Sequence, residues 1–398
     1  MPIHPLSLTS YTLVNALGTG VAASVNAIHK NTSGLRRYDF NQSPLDTWIG
    51  RVEGIEDSPV IDSLNEFDCR NNRLAQLGLR QDGFEDRVRE AISQYGASRV
   101  GLFLGTSTSG IRETEKAYAG IMQSTDPLPS TFDYVHTHNP FSVTDFCCRY
   151  LGLHGPAVTI STACSSSAKV FVTAYRYITS GLCDAAVVGG IDSLCLTTLY
   201  GFNSLELLSD KPCCPWSLQR NGINIGEAAG FSLLEKHNPS HHMPALLGYG
   251  ESSDAWHMST PHPEGEGSSL AMQRALRCAG IDATDIDYVN LHGTSTPAND
   301  ASEDKGLYRT FGRAVPCSST KGWTGHTLGA AGITEAIFSC LAIEHDFLPA
   351  CLNTREKDPE LTAALILENR QQTVKMAMSN SFGFGGSNCS LIFGKVEK

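Results

Sequence analysis

Apolar runs alternate with helix-period stripes along this chain. The run "RVGLFLGTS" (99–107) predicts a buried strand ending in a small-residue turn, and "PAVTIST" (156–162) and "DAAVVGGID" (184–192) repeat the pattern. Between the last two, Ala168, Phe171, Ala174, Tyr175 and Ile178 fall on one helical face that Gly181 stops, which predicts a βαβ unit. The pattern returns later. "DYVNLHGTS" (287–295) and "AVPCSST" (314–320) predict strands, and "TLGAAGITEAIFSCLAIEH" (327–345) predicts a long helix. "VKMAMSNSFGFGGSNCSLIFG" (374–394) reads as two strands around a glycine-rich turn. Alternation in both halves predicts an α/β architecture, duplicated, with its sheet covered by helices. The polar, proline-containing "EKHNPSHHMP" (235–244) is the expected joint, giving halves 1–238 and 239–398.

Composition narrows the class. The 398 residues are 41% hydrophobic and 18% charged, enough apolar residue for a large globular core. A formal net charge of -11 argues against general nucleic-acid binding. No apolar run approaches the ~20 residues needed to span a bilayer, and the first residues show no basic-then-apolar leader. Thirteen cysteines, two adjacent pairs among them and no C-x-x-C, suit neither a disulfide framework nor a zinc knuckle. The expectation is a reduced, cytoplasmic protein whose cysteines mostly fill core.

One cysteine stands apart. In "TACSSSAKVF" the predicted strand ends near Ser161 and the helix starts near Ser165, so Cys164 sits at a helix N-terminus. Unpaired N–H groups there favour thiolate and predict a lowered pKa. A tight strand-to-helix turn also exposes a nucleophile, and the small neighbours leave room for a substrate. A buried core cysteine in such a turn fits the motif equally well. Three further segments shift the balance toward chemistry. "LHGTSTPANDASE" puts His292 at a strand end, "STKGWTGHTLGAAG" puts Lys321 and His326 around a glycine-rich turn, and "NSFGFGGSN" lets backbone approach a ligand closely. In α/β sheets catalytic groups gather at the carboxyl ends of strands.

This set resembles the β-ketoacyl-acyl carrier protein synthases, elongating condensing enzymes of the thiolase superfamily. The likeness runs in the same motif order from "GTSTSG" to "GFGGSN". It implies a duplicated five-layer αβαβα core and a dimer. It implies Cys164 as the acylated nucleophile, with His292 and His326 stabilising the enolate left when malonyl thioester loses CO2. It implies an oxyanion hole from the backbone N–H groups of Cys164 and Phe384, and a charged pair of Lys321 with Glu303. Thr294 and Thr296 would contact the malonyl carboxylate, Phe202 and Phe384 would gate the acyl tunnel, and Thr108 would face the acyl pocket. No cofactor or metal is implied. The expected partners are acyl- and malonyl-loaded acyl carrier protein and a second ketosynthase-like subunit, identical or a chain-length factor. Because such carriers are acidic, docking needs a local basic patch, for which Arg70, Arg73 and Lys211 are candidates.

Some stretches depart from the family pattern. "LSLTSYTLVNALGTG" is more polar than the usual first strand, and "QRNGINIGEAAG" has Asn221 and Ala228 where relatives carry an acid and a glycine. These leave a specialised polyketide or polyene pathway as a rival to housekeeping fatty acid synthesis. Three other readings of the chain compete with this one. A non-catalytic chain-length factor would lack the nucleophile. A thiolase would need a second catalytic cysteine, for which Cys389 is the candidate. An initiating synthase would show asparagine where His326 stands.

Overall fold

The computed structural model describes residues 2–40, 45–121, 127–237, 243–312 and 315–396. Ten of the twelve strands of its main sheet carry the architecture: β1 (Leu6–Asn15), β2 (Val100–Gly105), β3 (Ala157–Ile160), β4 (Ala185–Asp192), β5 (Ala228–Lys236), β6 (Ala245–Ser253), β7 (Tyr288–Asn290), β8 (Pro316–Ser318), β9 (Met376–Gly383) and β10 (Ser387–Gly394). In the first half the spatial order is β1-β5-β4-β2-β3; in the second it is β6-β10-β9-β7-β8. Each half reads first, fifth, fourth, second, third in chain order. Each also pairs antiparallel twice and then parallel twice. The duplication expected from the alternation is therefore present strand by strand. The halves meet where Leu6 faces Leu246 and Ser7 faces Ala245. Of the expected joint, residues 238–242, and with them the 238/239 boundary, lie outside the described residues.

Helices α1 (Arg70–Leu79), α2 (Phe84–Tyr95), α3 (Ser142–Leu151), α4 (Ser166–Thr179), α5 (Leu196–Ser204), α6 (Glu266–Ala279), α7 (Pro297–Phe311) and α8 (Ala331–His345) cover these strands. Leu74, Val88 and Phe146 of α1–α3 form one outer core, and Met272, Leu307 and Phe311 of α6 and α7 form the other. α4 and α8 lie between the two halves, joined through Phe171, Ile337 and Phe338. That makes five layers. A helix between the two halves of the sheet has no wet face, which explains why α8 is mostly apolar all round and buried from Ala331 to Ile343. Each fully buried Phe or Ile there contributes roughly 1.5–3 kcal/mol.

The polar first strand is not an exposed one. β1 is central and nearly all buried, and its hydroxyls find partners: Ser7 with His237, and Thr12 donating to Gly78 O and to Asp82. The predicted strands at 287–295 and 314–320 shrink to Tyr288–Asn290 and Pro316–Ser318, because the residues that follow leave the sheet to form the site. No helix among the described residues is long and apolar enough to cross a membrane.

Candidate active site

The four chemistry-bearing segments converge at the carboxyl ends of β3, β7, β8 and β9. Thr162, Ala163 and Cys164 connect β3 to α4, and Ala163 takes the left-handed φ of 52°. The serines that follow staple this turn. Ser165 Oγ donates to Thr162 O at 2.9 Å. Ser166 Oγ accepts from Thr162 N–H and donates to Ala163 O. Ser167 Oγ accepts from Ile333 N–H at 3.0 Å, tying α4 to α8. The Cys164 turn is thus held by both halves.

His326 Nε2 lies 3.1 Å from Cys164 Sγ, and the His292 and His326 rings meet edge to face with centroids 5.4 Å apart. All three side chains are buried. Their hydrogen-bond partners set the tautomers. Leu328 N–H donates to His326 Nδ1 at 3.0 Å, so in the neutral ring the proton sits on Nε2 and faces the sulfur. Lys321 Nζ, which can only donate, lies 3.4 Å from His292 Nδ1, which likewise leaves the proton on Nε2. Burial and, after it, the Lys321 charge hold both imidazoles well below their ordinary pKa, hence neutral. Both rings therefore present an N–H to the space beside Cys164.

Cys164, His292 and His326 bring three metal-ligating atoms within 4.8 Å of one another. A ligating imidazole normally gives its second N–H to an acceptor. Here both second nitrogens face donors, one of them a cation, so the cluster offers N–H groups rather than lone pairs and does not fit a metal ion.

Three site expectations need correction. The lowered Cys164 pKa is overturned: burial pushes the thiol up to about 11, against the Lys321 charge and the N–H groups of Phe384 and Cys164 that face the sulfur. Lys321 does not pair with Glu303. Its ammonium meets Glu335 of α8 and His292 O, all buried. Glu303 instead accepts from His292 N–H and Gly293 N–H, each at 2.8 Å, and so fixes the backbone that carries His292. Burial raises both carboxyls to about 7. Thr108 does not face the acyl space, because its N–H and hydroxyl are both bound to Asp192 Oδ1 at 2.9 Å; its neighbour Ser107 lines the pocket.

Two pockets meet at Cys164. One is lined by Thr294, Thr296, Asn299, His292, His326 and the 382–386 turn. The other is lined by Ser107, Ala163, Thr198, Gly201, Leu205 and Leu328. Phe202 and Phe384 border both, with ring centroids 5.4 Å apart. The Phe384 turn requires its glycines, since Gly385 and Gly386 adopt φ of 77° and 73°. Thr296 caps α7 by accepting from Asn299 N–H, and its hydroxyl pairs with that of Thr294 at 2.9 Å.

The basic patch is corrected in part. Arg70 is buried and bound to Glu227 and Glu56. Arg73 is spent on Asp68 and Glu56 O. Lys211 alone of the three is exposed with no ion pair among the described residues. Cys389, the thiolase candidate, is fully buried inside β10, and burial raises its pKa. Glu335 and Asp192 were missed. A lone acid in the apolar stretch of α8 was the available signal for Glu335, since a buried charge needs a partner. Asp192 at a strand end gave none beyond its position.

Two halves of one sheet sandwiching two buried helices, with cysteine and two histidines at strand ends, define a condensing enzyme of thiolase fold. Residues 79–240 match the N-terminal domain of beta-ketoacyl synthase, and residues 244–355 match its C-terminal domain. The chain belongs to the β-ketoacyl synthase family. It is 32% identical to a 3-oxoacyl-[acyl-carrier-protein] synthase 2 of Vibrio cholerae over 98% of both chains, and 35% identical to that of Staphylococcus aureus strain COL over 88% of this chain and 91% of the relative. A ketosynthase of Xenorhabdus doucetiae, solved in complex with its chain length factor, superposes with a TM-score of 0.89 at 40% identity, covering 99% and 98%. A β-ketoacyl synthase of Burkholderia phymatum gives 0.87 at 28%, covering 99% and 100%. The protein is an acyltransferase that performs the condensing reaction of this family.

Proposed function

We propose that Cys164 carries the growing acyl chain and that His292 and His326 stabilise the malonyl-derived enolate. The observation that carries this is the 3.1 Å approach of His326 Nε2 to Cys164 Sγ with Nδ1 already occupied by Leu328 N–H. An imidazole so fixed is a donor, not a base. In the loading step Cys164 Sγ bonds to the acyl carbon, the carrier thiol leaves, and the cysteine proton ends on that thiol. The oxyanion faces the N–H groups of Cys164 and Phe384. Malonyl thioester in the Thr294–Thr296 pocket then loses CO2, and its thioester oxygen, now enolate, receives the two Nε2–H donors. The enolate carbon attacks the acyl carbonyl, the Cys164 sulfur departs as thiolate and takes a proton from solvent, and a β-ketoacyl thioester remains. Phe202 and Phe384 separate the malonyl space from the acyl space and keep water from the enolate. Single-turnover assays test this: His292→Ala and His326→Ala should load Cys164 yet fail to condense, and loss of loading in both folded variants contradicts it.

The substrates arrive on acyl carrier protein, and the second subunit is a ketosynthase-like chain-length factor in a specialised polyketide or polyene pathway. The 40% identity to a ketosynthase solved with its chain length factor favours this over a housekeeping homodimer. Edge strand β3 is half-buried along its length, and Tyr134, Val135 and Phe141, in the segment leading into α3, are 51%, 60% and 43% exposed. Light scattering of the chain alone and co-expressed with its candidate partner distinguishes the two. A stable, fully active homodimer that does not exchange subunits contradicts the heterodimer.

A further inference from the structure

We propose that Asp192 is a positioning residue for the condensation, fixing the tautomer and aim of His326 from the opposite half of the molecule. The inference rests on the donor role given to His326 above. Asp192 ends β4 in the first half and is fully buried. Its carboxylate accepts from six donors: Thr106 Oγ1, Ser107 N–H and Oγ, Thr108 N–H and Oγ1, and Gly329 N–H. Five belong to the first half. The sixth, at 2.6 Å, crosses to the loop that follows His326 in the second half.

That one crossing bond has a structural consequence. Leu328 stands between His326 and Gly329 and has φ of 55°, a left-handed conformation that a leucine adopts only when its surroundings impose it. In this conformation its N–H points back at His326 Nδ1. The next N–H, that of Gly329, is anchored by Asp192. The contact leaves no slack, because a Cβ on Gly329 would stand 2.8 Å from Asp192 Oδ2 and 2.8 Å from Ser107 N. So the carboxylate holds Leu328 in its strained turn, and the turn holds the imidazole with Nε2–H toward Cys164. Leu328 and Ser107 also line the acyl pocket, which makes this the joint between the pocket wall and the enolate donor. Asp192 touches neither sulfur nor substrate space, so it acts through His326.

The test uses Asp192→Asn, which puts an amide N–H where an acceptor is required, and Gly329→Ala, which keeps the carboxylate and pushes the loop off it. Histidine-selective 15N labelling reads the tautomer, with His326→Gln assigning the signal. Both variants should still load Cys164 from an acyl-carrier thioester. Both should show His326 moving from the Nε2–H form to a tautomer mixture, and condensation should fall about 10- to 100-fold, the range below loss of a whole oxyanion donor. A purely structural role would lower melting temperature and loading together and leave the tautomer of the folded fraction unchanged. That result overturns the proposal, as does a folded variant of either kind that keeps both the Nε2–H signal and the condensation rate. If Asp192→Asn does not fold, Gly329→Ala decides alone. Failure of the underlying donor role is separable, since it appears as a His326→Ala variant that still condenses.

Discussion

Glu335, in the second turn of α8, pairs with Lys321, and both side chains are removed from water. Taking away one partner of such a pair leaves a buried charge uncompensated, at a cost of about 3–5 kcal/mol. Glu335→Gln should therefore destabilise the fold by that order in chemical denaturation. The double variant Lys321→Met/Glu335→Gln should recover part of the loss. Equal destabilisation by Glu335→Gln and by an exposed control such as Glu264→Gln would contradict the pairing.

Glu303 gives a pH-dependent prediction. Its folded pKa is raised to about 7 by burial, whereas an unfolded glutamate titrates near ~4.3. Between these values the native state holds a proton that the unfolded state has lost, so its contribution is complete below ~4.3 and fades as pH rises through about 7. The stability difference between wild type and Glu303→Gln should thus shift against wild type by a few kcal/mol from pH 4.5 to 7.5. A pH-independent difference in denaturation midpoint contradicts the raised carboxyl.

The reactive motifs were legible because they sit at strand ends, where short patterns carry both backbone and chemistry; Cys164, His292, His326 and the Phe384 turn all come from such segments. Partnerships were less legible. Arg70 and Glu227 are 157 positions apart, and nothing local to α1 shows that its basic residues face an acid inward. The same distance hid Asp192, whose partners lie 86 residues before it and 137 after. The polar β1 looked like a departure from the family pattern because hydroxyl satisfaction by Gly78 O and His237 depends on packing, not on alternation.

Cys164 should rest as an un-ionised thiol and react only through its small thiolate fraction. With its pKa pushed up to about 11, alkylation by iodoacetamide should rise roughly tenfold per pH unit from 7 to 10. A rate that levels off below pH 8 would mean that the helix N-terminus outweighs burial.

Lys211 carries what is left of the carrier-docking prediction. Lys211→Glu should raise KM for a carrier-bound thioester, with the effect shrinking as salt screens beyond about 10 Å at ~0.1 M. A small soluble thioester should be used at an unchanged rate. Arg73→Glu should act on stability instead, because it breaks the contacts with Asp68 and Glu56 O.

The covalent station is the centre of the account. Intact-mass and peptide mass spectrometry after incubation with acyl-carrier thioesters of several chain lengths tests it directly. The predicted result is one acyl adduct per chain on the peptide containing Cys164, absent in Cys164→Ala, which also loses condensation while keeping part of the malonyl decarboxylation. An adduct on another cysteine, or full condensation by Cys164→Ala, contradicts it.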